Sequence, residues 1–146
     1  MFKIIELLDE NGNTINVPMK SNAATAIRYK GTFHEEIPIS DDKNMLYASV
    51  IRDMGIDLDD EKSLIEINKI MDSCTEQIKR VAFIMAMSAK GEKMDELNYD
   101  KYIDWIETLD PQSFNDEKQD EIWAVYSGSV KNSSEAKKKN GQRAGK

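Results

Sequence analysis

Ile67, Ile70, Met71, Cys74, Ile78, Val81, Ala82 and Met85 recur at steps of three and four residues. Only an α-helix brings that spacing onto one face. The stripe runs for about seven turns, to Gly91, with no proline to interrupt it. Ahead of it, Ser63 and Glu66 stand in the S-x-x-E order of a capping box, which sets the expected start near Ser63. A helix this long in a chain of 146 residues is expected to be its spine. Cys74 lies on the stripe and reads as a small core residue.

The flanking segments are shorter. FKIIELL, DENGN and TINVPM read as a β-hairpin, with Asn11-Gly12 supplying the positive-φ residues of a tight turn. Ile15, Val17 and Met19 alternate with Thr14, Asn16 and Pro18, and Pro18, which has no N–H, places that strand at an edge or ends it there. Ser21 or Asn22 is expected to cap a helix over AATAIRYKGTF that ends or loosens at Gly31. A second helix, capped by Asp41 or Asp42, carries Met45, Leu46, Ser49 and Val50 and stops at Met54-Gly55. Beyond the spine, Asn98 caps YDKYIDWIETL. Asp110-Pro111 interrupts the chain, and Asn115 or Ser113 starts EKQDEIWAVYS, which stops at Gly128. The fold class is therefore α+β and mostly helical. A short N-terminal β-hairpin is followed by about five helices, one of them long and central, and by a disordered C-terminal tail.

Residues 1–128 form the domain, large enough to bury a core. Residues 129–146 shift to Ser, Asn, Lys and Gly and form a flexible basic tail, too poor in apolar residues to offset its ordering entropy. The net charge of −7 divides unevenly: residues 131–146 carry +5 and the remaining 130 carry −12. A body that acidic repels nucleic acid and membrane surfaces and favours a basic partner. No apolar run reaches the length of a membrane span, the N-terminus lacks the pattern of a signal peptide, and the single cysteine can form no internal disulfide.

The search for catalytic chemistry returns little. The stretch DMGIDLDDE and the loop DENGNT both lack the glycine position of a calcium-binding loop. His34 stands alone in a connector, without the ligands of a zinc site or the partners of a catalytic histidine. Glu35 and Glu36 have no partner constellation, and no phosphate-binding or nucleophile-elbow motif occurs. The chain is expected to be no enzyme and to hold no cofactor or metal. Eight methionines favour core filling, with an adaptable binding face as the other reading.

Four segments in order, TAIRYKGTFHEEI, AFIMAMSAKG, NYDKYIDWIETLDPQSF and EIWAVYS, resemble the tail assembly chaperones of long-tailed (siphovirus-type) phages and prophages of Gram-positive bacteria. The resemblance covers most of residues 1–130, and Ala26–Phe33 and Tyr102–Phe114 carry most of it. His34 departs from it, standing where a glycine is expected after Phe33. The resemblance implies a protein that binds the tape measure protein, a long helical chain, and keeps it soluble until tail tube subunits polymerise. It implies the cytoplasm of the bacterial host, and absence from the mature virion. It further implies a longer form made by programmed frameshifting that recruits the tail tube protein. Lys137-Lys138-Lys139-Asn140 is compatible with a slippery adenine run, and equally with a plain flexible tail or a weak electrostatic arm.

A chaperone for a long helical client needs an apolar groove and is expected to self-associate. Tyr29, Phe33, Met85, Met87, Tyr102 and Trp105 are the candidate partner contacts, on the expectation that so small a core leaves some of them exposed. The alternative is a small non-enzymatic regulatory or nucleic-acid-associated protein using its basic tail. Nucleic acid is the less favoured partner, because no aromatic residue accompanies the tail's charges for base stacking.

Overall fold

The computed structural model describes residues 1–37 and 61–128. The helix expected between Asp41 or Asp42 and Gly55, the acidic stretch after it and the basic tail 129–146 lie outside the described residues. What is described is α+β and mostly helical. An antiparallel hairpin, β1 (Phe2–Leu8) and β2 (Thr14–Lys20), is followed by α1 (Thr25–Phe33) and the long α2 (Glu61–Ala89). A 3-10 turn (Met94–Glu96), α3 (Tyr99–Glu107), a second 3-10 turn (Pro111–Phe114) and α4 (116–128) complete it.

The hairpin pairs Ile5 with Val17 and Leu7 with Ile15, and extends to Phe2 with Lys20. Ile5, Leu7 and Met19 are buried on its inner face, with Ile15 and Val17 packed beside them. Its loop is wider than the Asn-Gly pair suggests. Asp9 organises it: the carboxylate accepts from the amides of Asn11 (2.9 Å) and Asn13 (2.8 Å), and its carbonyl accepts from Gly12 N–H (3.0 Å). Gly12 takes the positive φ (80°) and Asn11 does not. The carboxylate at the turn's first position fixes a wider loop, which needs left-handed backbone only at Gly12.

α1 begins at Thr25 rather than at the Ser21-Asn22 cap. The Asn22 side chain instead accepts from Ala24 N–H (2.9 Å), closing a turn just ahead of the helix. Gly31 neither ends nor loosens α1. It is interior, and a Cβ there would meet the Met94 methyl at 2.0 Å, so the residue admits that side chain from the first 3-10 turn. The helix stops at His34, whose φ of 57° is left-handed and whose N–H donates to Lys30 O at 2.8 Å. His34 thus holds backbone that favours glycine.

α2 is the expected spine. Its 29 residues include Glu61, so Ser63 is inside the helix and not its N-cap. From Val81 to Met87 every residue is buried, the signature of a helix enclosed on all sides rather than on one stripe. Burial pushes the Cys74 thiol up to about 11, which keeps it a protonated core residue. The helix closes in a Schellman motif: Gly91 has φ 76°, Glu92 N–H reaches Met87 O (3.1 Å) and Gly91 N–H reaches Ser88 O (3.1 Å).

Asn98 caps α3 by accepting from Lys101 N–H (2.8 Å), and Asn115 caps α4 by accepting from Lys118 N–H (3.0 Å). Ser113, the other candidate for that second cap, clamps the hairpin instead. Its hydroxyl accepts from Leu8 N–H (2.7 Å) and donates to Leu8 O (2.8 Å). Ile122, Trp123, Val125 and Tyr126 of α4 all join the core. Trp123 is 1% exposed, yet its Nε1 has no hydrogen-bond partner among the described residues. Removing the ring removes both its burial and this orphan donor, and the two effects oppose each other. Trp123→Ala is therefore expected to cost about 3–5 kcal/mol. Trp123→Phe, which keeps most of the volume and deletes the orphan, is expected to cost less than half as much in urea unfolding.

Candidate functional site

Three elements meet at one phenylalanine. Phe33, at the end of α1, lies 5.1 Å from Tyr29, 5.2 Å from Tyr102, and 6.3 Å from both Phe83 and Tyr99, measured between ring centroids. Phe83 in turn contacts Tyr102 (5.5 Å) and Trp105 (5.7 Å). Most of these rings meet edge to face, the arrangement their quadrupoles favour. The cluster joins α1, α2 and α3.

Arg80 of α2 covers it. The guanidinium lies 5.1 Å over the Phe33 ring and 5.7 Å over Tyr99, within cation–π range. Nη1 pairs with Glu35 at 3.0 Å and Nε with Glu76 at 3.3 Å. Each glutamate accepts a buried phenol as well: Tyr29 donates to Glu35, and Tyr102 donates to Glu76 at 2.8 Å. Burial first, then the adjacent carboxylates, holds both phenols well above the ordinary tyrosine range. Burial alone would lower the Arg80 pKa, but Glu35 and Glu76 together raise it.

The six partner-contact candidates divide by burial. Tyr29, Met85, Met87 and Tyr102 are buried in the core, while Phe33 and Trp105 are only partly covered. The small core accommodates the first four because α2 is buried all round at its C-terminal end and Tyr29 and Tyr102 send their hydroxyls to carboxylates at its margin. Sequence reasoning missed Arg80, Glu76 and Phe83. The i, i+4 spacing of Glu76 and Arg80 was the available signal for that pair. The unbroken apolar run VAFIMAM was the signal that Phe83 is enclosed.

Next to this cluster, between the end of α2 and α3, an open groove of about 320 Å³ remains. The partly exposed Trp105, with the buried Phe83 and Met87 behind it, lines its apolar side, and Lys90, Glu92, Lys101 and Asp104 line its charged side. Lys101 Nζ pairs with Glu92 at 3.1 Å across one end, and Arg28 of α1 donates to the Glu92 carbonyl at 2.8 Å. No group of His, Cys, Asp and Glu suited to a metal occurs among the described residues, and no helix there is long and apolar enough to cross a membrane. Compared with protein-family models, curated proteins and solved structures, the chain matches none significantly.

The two phenols give the site a pH signature. In the folded protein Tyr29 and Tyr102 keep their protons at pH values where an unfolded chain, with tyrosine near pKa 10, has lost them. Their contribution to stability is therefore complete below about pH 10 and falls as pH rises beyond it. Unfolding followed by circular dichroism between pH 8 and 12 is expected to show this loss. The double variant Tyr29→Phe, Tyr102→Phe is expected to show a shallower fall.

Proposed function

We propose that this protein is a phage tail assembly chaperone that binds apolar helical segments of the tape measure protein and keeps them soluble before the tail tube polymerises. The observation that carries the reading is the groove between α2 and α3, where Trp105 offers a partly exposed apolar surface within a ring of charged side chains. An open cleft between two helices with an apolar lining is what the helix-in-groove mode of recognition uses. The residues that carry the resemblance, Ala26–Phe33 and Tyr102–Phe114, contribute Phe33, Tyr102 and Trp105 to the aromatic cluster and the groove beside it. The acidic body favours a basic client and speeds encounter more than it tightens the complex. A longer frameshifted form that recruits tail tube subunits, and action in the host cytoplasm rather than in the virion, belong to the same reading.

The test is co-expression with fragments of a phage tape measure protein. At least one fragment that is insoluble alone is expected to become soluble and to co-purify. Trp105→Ala is expected to weaken capture about tenfold or more while the variant keeps its native circular dichroism. Capture of no fragment, or undiminished capture by a folded Trp105→Ala variant, contradicts the groove as the client site.

A further inference from the structure

The register of the hairpin decides what can close its open edge. At its two ends the backbone bonds are explicit. Met1 and Ser21 exchange bonds of 2.6 and 2.8 Å, and Asp9 N–H donates to Asn13 O at 2.9 Å. In an antiparallel ladder this pairing alternates with a period of two. The odd residues of β1 therefore aim their amides at β2, and Phe2, Ile4, Glu6 and Leu8 aim theirs outward.

Leu8 is already closed by Ser113 and by Asp110 N–H, which donates to Leu8 O at 2.9 Å. Glu10 N–H reaches Thr108 O at 3.0 Å, and Asp9 bridges to Leu109 in antiparallel fashion. Residues 108–110 thus meet this edge through an isolated bridge, and Pro111 turns the chain away into a 3-10 helix. Phe2, Ile4 and Glu6 are left with no backbone partner on that side among the described residues. The side chains of Phe2 and Ile4 are 60% and 53% exposed. The opposite edge is protected in the manner of natural edge strands: Pro18 lacks an N–H and Lys20 adds a charge. β1 has neither defence at Ile4.

We propose that β1 pairs antiparallel with β1 of a second copy of this chain, centred on Ile4, so that two hairpins form one four-stranded sheet. A second copy fits this edge because one register of self-pairing is self-complementary, independently of the client groove. Outward amides meet only when even residues face even residues. Centring the pair on Lys3 opposes two lysines directly, which is unfavourable. Centring it on Ile5 or on Glu6 requires the backbone of Leu8, which Asp110 and Ser113 already occupy. Centring it on Ile4 sets Ile4 opposite itself and Phe2 opposite Glu6. On the outer face this joins Pro18 and Ile4 of both copies into one apolar row. Phe2 then lies between Lys20 of its own chain and Glu6 of the other.

Analytical ultracentrifugation of the full chain over a range of concentrations is expected to show a monomer–dimer equilibrium. Ile4→Lys places like charges on the symmetry axis at a position that is 53% exposed and outside the buried core. It is expected to raise the dimer dissociation constant about tenfold or more with an unchanged melting temperature. Residues paired in this way have Cα atoms about 5.5 Å apart, within disulfide reach. Ile4→Cys is therefore expected to form a covalent dimer on oxidation, while Phe2→Cys, which faces Glu6, does not. The native Cys74 is buried and does not compete. A chain that stays monomeric at the highest concentration, an Ile4→Lys variant that associates like the parent, or equal cross-linking by Phe2→Cys and Ile4→Cys overturns the proposal.

Discussion

The Arg80 guanidinium is the interaction on which the arrangement of α1, α2 and α3 depends. It joins two glutamates from different elements, each of which accepts a hydroxyl from a tyrosine on α1 or α3, and it caps the aromatic cluster from above. Its side chain is 20% exposed, and those of Glu35 and Glu76 are 43% and 41% exposed. The pairs are therefore neither solvated surface bridges nor a fully buried triad. That intermediate setting strengthens each contact without the full desolvation penalty of burying ions. Arginine suits it because one planar cation can pair along its edge and stack on its face at once. The exposed Lys30–Glu36 pair, with both side chains more than 60% exposed, makes only a surface bridge.

The groove between α2 and α3 is a consequence of the same arrangement. Phe83 belongs to both the cluster and the groove lining, so the position of α3 over α2 sets how far Trp105 stands from Met87. The hairpin is held by other contacts: α2 packs on β2, while Asp110 and Ser113 secure β1 through Leu8. The client groove and the open β1 edge are thus formed by different elements of one chain.

The periodicity of the spine, the alternation of Ile15, Val17 and Met19, and the caps at Asn98 and Asn115 were legible because each is a local rule with one physical cause. Gly31 misled for a tertiary reason: Met94 occupies the space there, and the helix runs on to Phe33 before His34 takes the left-handed position. Asp9 changed the turn through its side chain, which the Asn-Gly dipeptide does not encode. Of the site, the aromatic residues were visible but not their burial. Tyr29 and Tyr102 look like contact residues until Glu35, 41 residues from Glu76 in sequence, is brought to the same arginine. No local pattern specifies that convergence.

The direct measurement is the unfolding free energy of Arg80→Met, beside Arg80→Lys and Lys30→Met. The account predicts a loss of about 2–3 kcal/mol for Arg80→Met, because two carboxylates beside buried phenols lose their cation. Arg80→Lys should recover only part of that loss, since an ammonium cannot pair along an edge and stack on a face together. Lys30→Met should stay within about 0.5 kcal/mol of the parent. An Arg80→Met variant as stable as the Lys30→Met variant would contradict the account.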